Sequence, residues 1–263
     1  MSEPLTKTSQ AGILQEILRR INAPGNGRAS VALFDVDDTI LSTSWRHLRI
    51  LKEFAADRAR ESRHPSELKK LSAITAQETR YYIVDTARQA GVADDSLLQE
   101  LKNFWFERFF KSEYLSEDRP IAGAPAFCRK VRKIGARIVY QTGRDETMRQ
   151  ATIKSLEAHG FPLPDDASVH LIVKPRFSDP DLEFKTRSIR EVGALGRVTA
   201  AFENEPAHIN LYHDHFPDGL MALLETRCSD QTARPKPEIR RIKNFLLTRA
   251  MGYNKLNASN IST

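Results

Sequence analysis

The sequence predicts an α/β protein, a parallel sheet covered on both faces by helices and interrupted by one all-helical insertion. Three observations predict it. Short, continuous apolar runs recur along the chain, the signature of strands buried on both faces. Segments with helical periodicity separate them, as alternating βα units require. Between the first and second strands the alternation breaks for some seventy residues, far more chain than the dozen or so that a parallel crossover needs.

The elements follow in order. Residues 11–21 place Ile13, Leu14, Ile17, Leu18 and Ile21 on one helical face. Residues 22–30, with Pro24, Gly25 and Gly27, read as a loop. The first strand spans 30–35 and ends at Asp35. Residues 43–118 carry three long helical patterns with no strand between them and are expected to form an inserted subdomain. Further strands are expected over 136–142, 168–173, 198–202 and 219–225, with helices over 124–135, 145–160, 184–195 and 205–216. Gly160 is a suitable helix stop. Residues 236–247 are expected to add one more helix, and 254–263 to form a frayed tail. The domain reading is therefore a discontinuous core, 1–42 and 119–250, a helical unit, 43–118, and a C-terminal tail, 251–263.

The bulk composition narrows the class. At 263 residues, 40% hydrophobic and 28% charged, the chain suits one large globular domain or a core with an insertion. No window approaches the ~18 continuous apolar residues of a membrane span, and the N-terminus lacks a basic-then-apolar signal pattern. A cytoplasmic protein without a membrane partner is the expectation. Cys128 and Cys228 stand outside any zinc-ligand spacing and read as buried thiols. The net charge of +6 favours anionic partners, phosphates or nucleic acid. Each basic cluster, 67–70, 129–133 and 240–243, reads by itself as a solvated helix face.

In open parallel sheets, ligands bind beyond the carboxyl ends of the strands. Asp35, Thr142 and Glu203 all stand at such ends, and Lys174 or Lys185 can bring a positive charge to the same edge. Asp35 and Glu203 would repel if bare and ionised. A hard cation such as Mg2+, which takes one or two carboxylates plus water and phosphate oxygens, resolves the conflict. Asp37, two residues beyond the strand end, is placed as a second carboxylate, so that one can attack while the other shuttles a proton. Taken alone, the acidic run 35–38 could equally cap a loop or helix.

With these residues in hand, a family resemblance follows. "FDVDDT" (34–39), "VYQTGR" (139–144), "EFKTRSI" (183–189) and "AAFENEP" (200–206) resemble, in order, the four signatures of the haloacid dehalogenase-like superfamily. The resemblance covers residues 30–228 apart from the insertion. It implies a Rossmann-like three-layer sandwich with a central parallel sheet and a helical cap inserted after the first signature. It implies Asp35 as the nucleophile toward phosphorus and Asp37 as the group that protonates the leaving oxygen and then activates water. Thr142 and Lys185 would bind the phosphoryl group. Mg2+ would be held by Asp35, the Asp37 backbone carbonyl, Glu203 and the position occupied by Asn204. Dehalogenases of the superfamily lack the second Asp, so Asp37 points to phosphate-ester hydrolysis.

Two positions depart from the pattern. Asn204 follows Glu203 where a second acid is usual, with Ala207 and His208 at the spaced positions and Glu205 as the alternative ligand. Lys174 stands nearer its strand end than Lys185, although the residues around Lys185 match the signature better. In the insertion, Trp45, Arg46, His47, Tyr81, Tyr82, Trp105, Phe106, Phe109 and Tyr114 supply the core and any pocket. The run 104–110 reads as packing, Arg46 and His47 as pocket residues, and Arg144 as either a substrate contact or a carboxylate partner. The expected protein is a Mg2+-dependent phosphatase acting on a small phosphorylated metabolite through an aspartyl-phosphate. The rivals are a nucleic-acid end phosphatase and a non-catalytic phosphate-binding protein of the same fold.

Overall fold

The computed structural model describes residues 9–23, 27–229 and 232–247. The first described element is helix α1, Gln10–Asn22, whose first turn is capped by the Ser9 hydroxyl. Strand β1, Ser30–Phe34, follows and becomes the centre of the sheet. Its side chains alternate. Val31 and Leu33 enter the apolar cluster on one face, and Ala32 and Phe34 enter the cluster on the other.

A short antiparallel pair, β2 (Leu41–Ser42) and β3 (Arg119–Pro120), stands where the chain leaves the sheet and where it returns. Between them lie α2 (Ser44–Ala55), α3 (Arg58–Arg63), α4 (Pro65–Ala73), α5 (Ile83–Gln89) and α6 (Asp95–Phe109). These helices bury a cluster of their own, including Leu51, Phe54, Leu68, Leu71, Leu97 and Leu101. The helical pattern over 66–91 is broken after α4. Thr75 donates from its backbone N–H (2.8 Å) and its hydroxyl (2.6 Å) to Glu78, which sets a short 3-10 turn instead of a continuous helix.

The rest of the core alternates as expected: α7 (Ala124–Lys133), β4 (Arg137–Asp145), α8 (Arg149–Ala158), β5 (Val169–Lys174), α9 (Asp181–Ala194), β6 (Arg197–Glu203), α10 (Pro206–His215) and β7 (Leu220–Leu224). The order β5-β4-β1-β6-β7 is parallel throughout. Helices α1, α7 and α8 contribute to the cluster on one face, α9 and α10 to that on the other. Cys128 is buried in the first of these.

The segment 236–247 departs from its sequence reading. It forms a sixth strand, β8 (Arg240–Ile242), parallel to β7, rather than a helix. Ile239, Ile242 and Phe245 recur every three residues, which resembles a helical stripe, but the exposed edge of β7 offers unpaired backbone groups that a strand satisfies. Phe245 then packs beside Gly123, where φ is 81° and a Cβ would come within 2.7 Å of the Phe245 backbone. The expected tail, 254–263, lies outside the described residues, among which no helix is long and apolar enough to cross a membrane.

Candidate active site

The chain runs from β1 outward to β4 and β5, then crosses back to place β6 on the other side of β1. The strand order therefore reverses between β1 and β6, and a crevice opens at their carboxyl ends. Asp35 and Glu203 stand on its two sides. The backbone N–H of Asp35 still donates to Phe202 (3.0 Å), so the carboxylate is presented from the last rung of the ladder.

Beyond Asp35 the chain turns sharply. The Val36 carbonyl accepts from Ile40 and Leu41, each at 3.0 Å, and Asp38 takes a left-handed conformation with φ 55°. Asp38 has partners of its own. Its carboxylate accepts from the Thr43 N–H (3.0 Å), the Thr43 hydroxyl (3.1 Å) and the Arg227 guanidinium (2.7 Å). Arg227 also donates to Thr79 (2.9 Å), which ties the loop after β7 to the helical insertion.

Lys185, in the second turn of α9, bridges the crevice. Its Nζ donates to Asp35 Oδ1 (2.8 Å) and to Glu203 Oε2 (2.6 Å), and all three side chains are buried. Burial opposes the lysine's charge, but the two carboxylates outweigh it and hold Lys185 ionised, its pKa well above the usual value. Burial and the adjacent Glu203 charge push the Asp35 carboxyl well up, against the pull of Lys185. Glu203 is also buried, yet Lys185 and His208 leave its carboxyl below the ordinary range. Its other oxygen accepts from the backbone N–H groups of Asn204 (3.2 Å) and Glu205 (3.1 Å) at the start of α10.

Asp37 faces the same cavity but keeps different company. Arg144 grips it with two bonds, Nε to Oδ2 at 3.0 Å and Nη2 to Oδ1 at 2.7 Å, and Arg46 adds a third at 3.1 Å. Burial raises the Asp37 carboxyl, but the two guanidiniums win and hold it well below the usual carboxylate range. Both arginines are in turn bound by Asp118, which is fully buried, at 2.5 Å from Arg46 and 2.7 Å from Arg144. Two cations thus sit between two anions with almost no water around three of the four groups.

The remaining expected site residues are placed as follows. Thr142 is fully buried, its hydroxyl accepting from the Arg144 N–H (3.2 Å), while Gly143 and Arg144 reach the cavity. Lys174 donates to the Asp179 carbonyl (2.9 Å) and to Asp181 (2.7 Å), so it fastens its own loop, whereas Lys185 reaches Asp35. The Asn204 amide oxygen lies 3.0 Å from the Thr39 hydroxyl, which is also 2.9 Å from Asp35. Glu205 accepts from the N–H (2.7 Å) and hydroxyl (2.8 Å) of Ser229, away from the carboxylate pair. Arg46 lines the cavity. His47 does not; it is buried against Trp105, whose indole N–H donates to its Nδ1 (3.2 Å). Asp118 and Arg227 carried no sequence signal, because their charged partners lie far along the chain, 72 and 26 residues away for Asp118 and 189 for Arg227.

The donor set suits Mg2+. Asp35, Glu203, the Asn204 amide oxygen and the Asp37 backbone carbonyl are all hard oxygens, and one or two carboxylates suffice for that ion. Among the described residues no group of three or more His, Cys, Asp or Glu side chains is arranged around a single cation position. The set fits Mg2+, whose remaining ligands are drawn from water and phosphate. The cavity over these groups has a volume of about 250 Å3.

No family model matches the sequence. No curated protein matches it. Solved structures do. A candidate phosphatase from Clostridium difficile is 10% identical at a TM-score of 0.50, covering 81% of this chain and 94% of its own. Protein Tyrosine Kinase A from Mycobacterium tuberculosis is 11% identical at 0.50, covering 80% and 92%. A haloacid dehalogenase-like family hydrolase from Streptococcus pneumoniae is 10% identical at 0.46, covering 81% and 93%. At such identities the likeness is one of fold.

Proposed function

We propose, for a chain that carries the haloacid dehalogenase-like fold, a Mg2+-dependent phosphatase that cleaves a small-molecule phosphate monoester through an aspartyl-phosphate. One observation carries the reading: Asp35, at the end of the central strand, shares a single lysine ammonium with Glu203 across the crevice. Two buried carboxylates on one cation is an arrangement that a purely structural core has little reason to keep, since a well-packed apolar pair is as stable.

In the proposed reaction the Asp35 carboxylate oxygen attacks phosphorus. The bond from phosphorus to the ester oxygen breaks, and that oxygen leaves as the alcohol with a proton from Asp37. Asp37, now a carboxylate, takes a proton from water. The resulting hydroxide attacks phosphorus, releasing inorganic phosphate and restoring Asp35. Lys185 and the arginines supply positive charge to the phosphoryl oxygens. Mg2+, held by Asp35, the Asp37 carbonyl, Glu203 and Asn204, would neutralise Asp35 and the phosphoryl group.

The grip of Arg144 and Arg46 on Asp37 bears on the first step. While both guanidiniums hold it, Asp37 stays ionised and has no proton to give. A dianionic phosphoryl group entering the cavity competes for the same guanidiniums, which frees Asp37 to carry the proton. The helical insertion would act as the cap that closes over the cavity and excludes water. The test is hydrolysis of a generic aryl phosphate with and without Mg2+, in wild type and Asp35→Asn. Equal turnover in the variant would sink the mechanism.

A further inference from the structure

The cavity is lined by both charged and aromatic side chains. Asp35, Asp37, Lys185 and the two arginines supply the charges. Beside them lie Trp105, Phe109 and Phe110 from the end of α6 and Phe177 from the loop after β5. Neighbouring rings touch along this wall. Trp105 stacks on Phe109 at 4.6 Å, Phe109 meets Phe110 edge-on at 5.1 Å, and Phe110 meets Phe177 at 4.7 Å. The wall thus runs unbroken from the helical insertion to the core.

These rings are not simply the core of the insertion. That core is built of Leu51, Phe54, Leu71, Leu98 and Leu101, with Phe104 and the partly buried Trp105 packed against it. Phe109 and Phe110 take no part in it, and Phe177 is 43% exposed. Within the run 104–110, which was expected to pack, Phe104 and Trp105 pack on that core, while Phe109 and Phe110 pack on one another at the cavity. The wall is also held in place. The Trp105 indole is pinned by its bond to buried His47, and the Arg46 guanidinium lies 4.5 Å from the centre of the Phe109 ring. Rigid, half-buried aromatic faces beside fixed charges are what a pocket for a flat ligand needs.

Resting on the phosphatase reading, we infer that the substrate is a phosphate monoester whose leaving alcohol carries an aromatic or heteroaromatic ring, which lies against Trp105, Phe109, Phe110 and Phe177 while the phosphoryl group meets Asp35. The cavity, about 250 Å3, has room for a phosphoryl group and one ring system.

The experiment compares benzyl phosphate with glycerol 3-phosphate. Both are esters of primary alcohols, so leaving-group chemistry is similar and the ring is the main difference. In the full-length wild type, kcat/KM should favour benzyl phosphate by about tenfold or more. In Asp35→Asn, calorimetry should give the same preference in Kd. Phe177→Ala, a half-exposed loop position, and Trp105→Leu should each remove most of the preference and leave affinity for inorganic phosphate unchanged. Equal or reversed preference in wild type would overturn the inference, as would a preference intact in both variants. Preferential binding of benzyl phosphate with no hydrolysis of either ester would support the aromatic site while sinking the phosphatase reading, so the two failures are distinguishable.

Discussion

Asp35 illustrates how a single residue can be costly to the fold and necessary to the site. Its carboxyl is buried, stands close to another carboxylate, and is pushed well up as a result. Replacing it with Asn removes a charge that the folded state disfavours. Asp35→Asn should therefore lose turnover by at least ~1,000-fold while Tm stays level or rises, the trade between stability and activity expected at a functional position. A thermal melt beside an activity assay checks both, and a large fall in Tm would show that Asp35 has a structural role instead. Asp118 behaves in the opposite way. It compensates Arg46 and Arg144 where there is no water to do so. Asp118→Asn leaves two guanidiniums sharing one carboxylate and should cost about 3–5 kcal/mol in urea unfolding. Asp35 and Glu203 could be proposed from strand ends alone, whereas Lys185 stood out from Lys174 only through the resemblance of the residues around it. Asp118 could not, because nothing in "EDRPIAGAP" records that two arginines, from α2 and from β4, converge on it.

At the scale of elements, the strands were legible where the apolar run was long and bounded, as in 30–35 and 219–225. The C-terminal segment was not. Ile239, Ile242 and Phe245 satisfy the helical period, and only the free edge of β7 selects a strand. The payoff of that choice is Phe245, which packs on Phe127 at 5.4 Å and Phe202 at 5.3 Å. Phe245→Ala should destabilise the core by about 3–5 kcal/mol in equilibrium unfolding, as fully buried aromatic residues do. A cost under ~1 kcal/mol would mean that the segment after β8 contributes little. The helices α2 to α6 make the complementary case. Their amphipathic patterns identified helices, but the break after α4 depends on the local bonds of Thr75 to Glu78, which compete with helix continuation.

At the scale of the whole molecule, the reversal of strand order at β1 and β6 creates the crevice, and Arg46, Trp105, Phe109 and Phe110 from the segment between β2 and β3 line the cavity there. Arg227 fastens the two parts on one side through Asp38 and Thr79, and the contact of Phe110 with Phe177 joins them on the other. If the proposed metal binds the oxygens at the crevice, stripping it with a chelator should abolish turnover, and added Mg2+ should restore it. Mg2+ with an excess of a phosphate mimic should raise Tm further than either alone, because binding to the native state alone stabilises by mass action. A Tm indifferent to both would argue that the crevice holds neither.

The sequence by itself determined the class of the protein, the helical insertion and the acidic strand ends, because each is a local pattern: an apolar run, a period, a run of carboxylates after a buried strand. Tertiary structure alone decided which charges meet. It brought Lys185 between Asp35 and Glu203, set Arg144 and Arg46 on Asp37, buried Asp118 behind them and placed part of an aromatic run at the cavity. The physical reason is that electrostatic and stacking partners are chosen by distance in space, and the chain separates most of these partners by scores of residues.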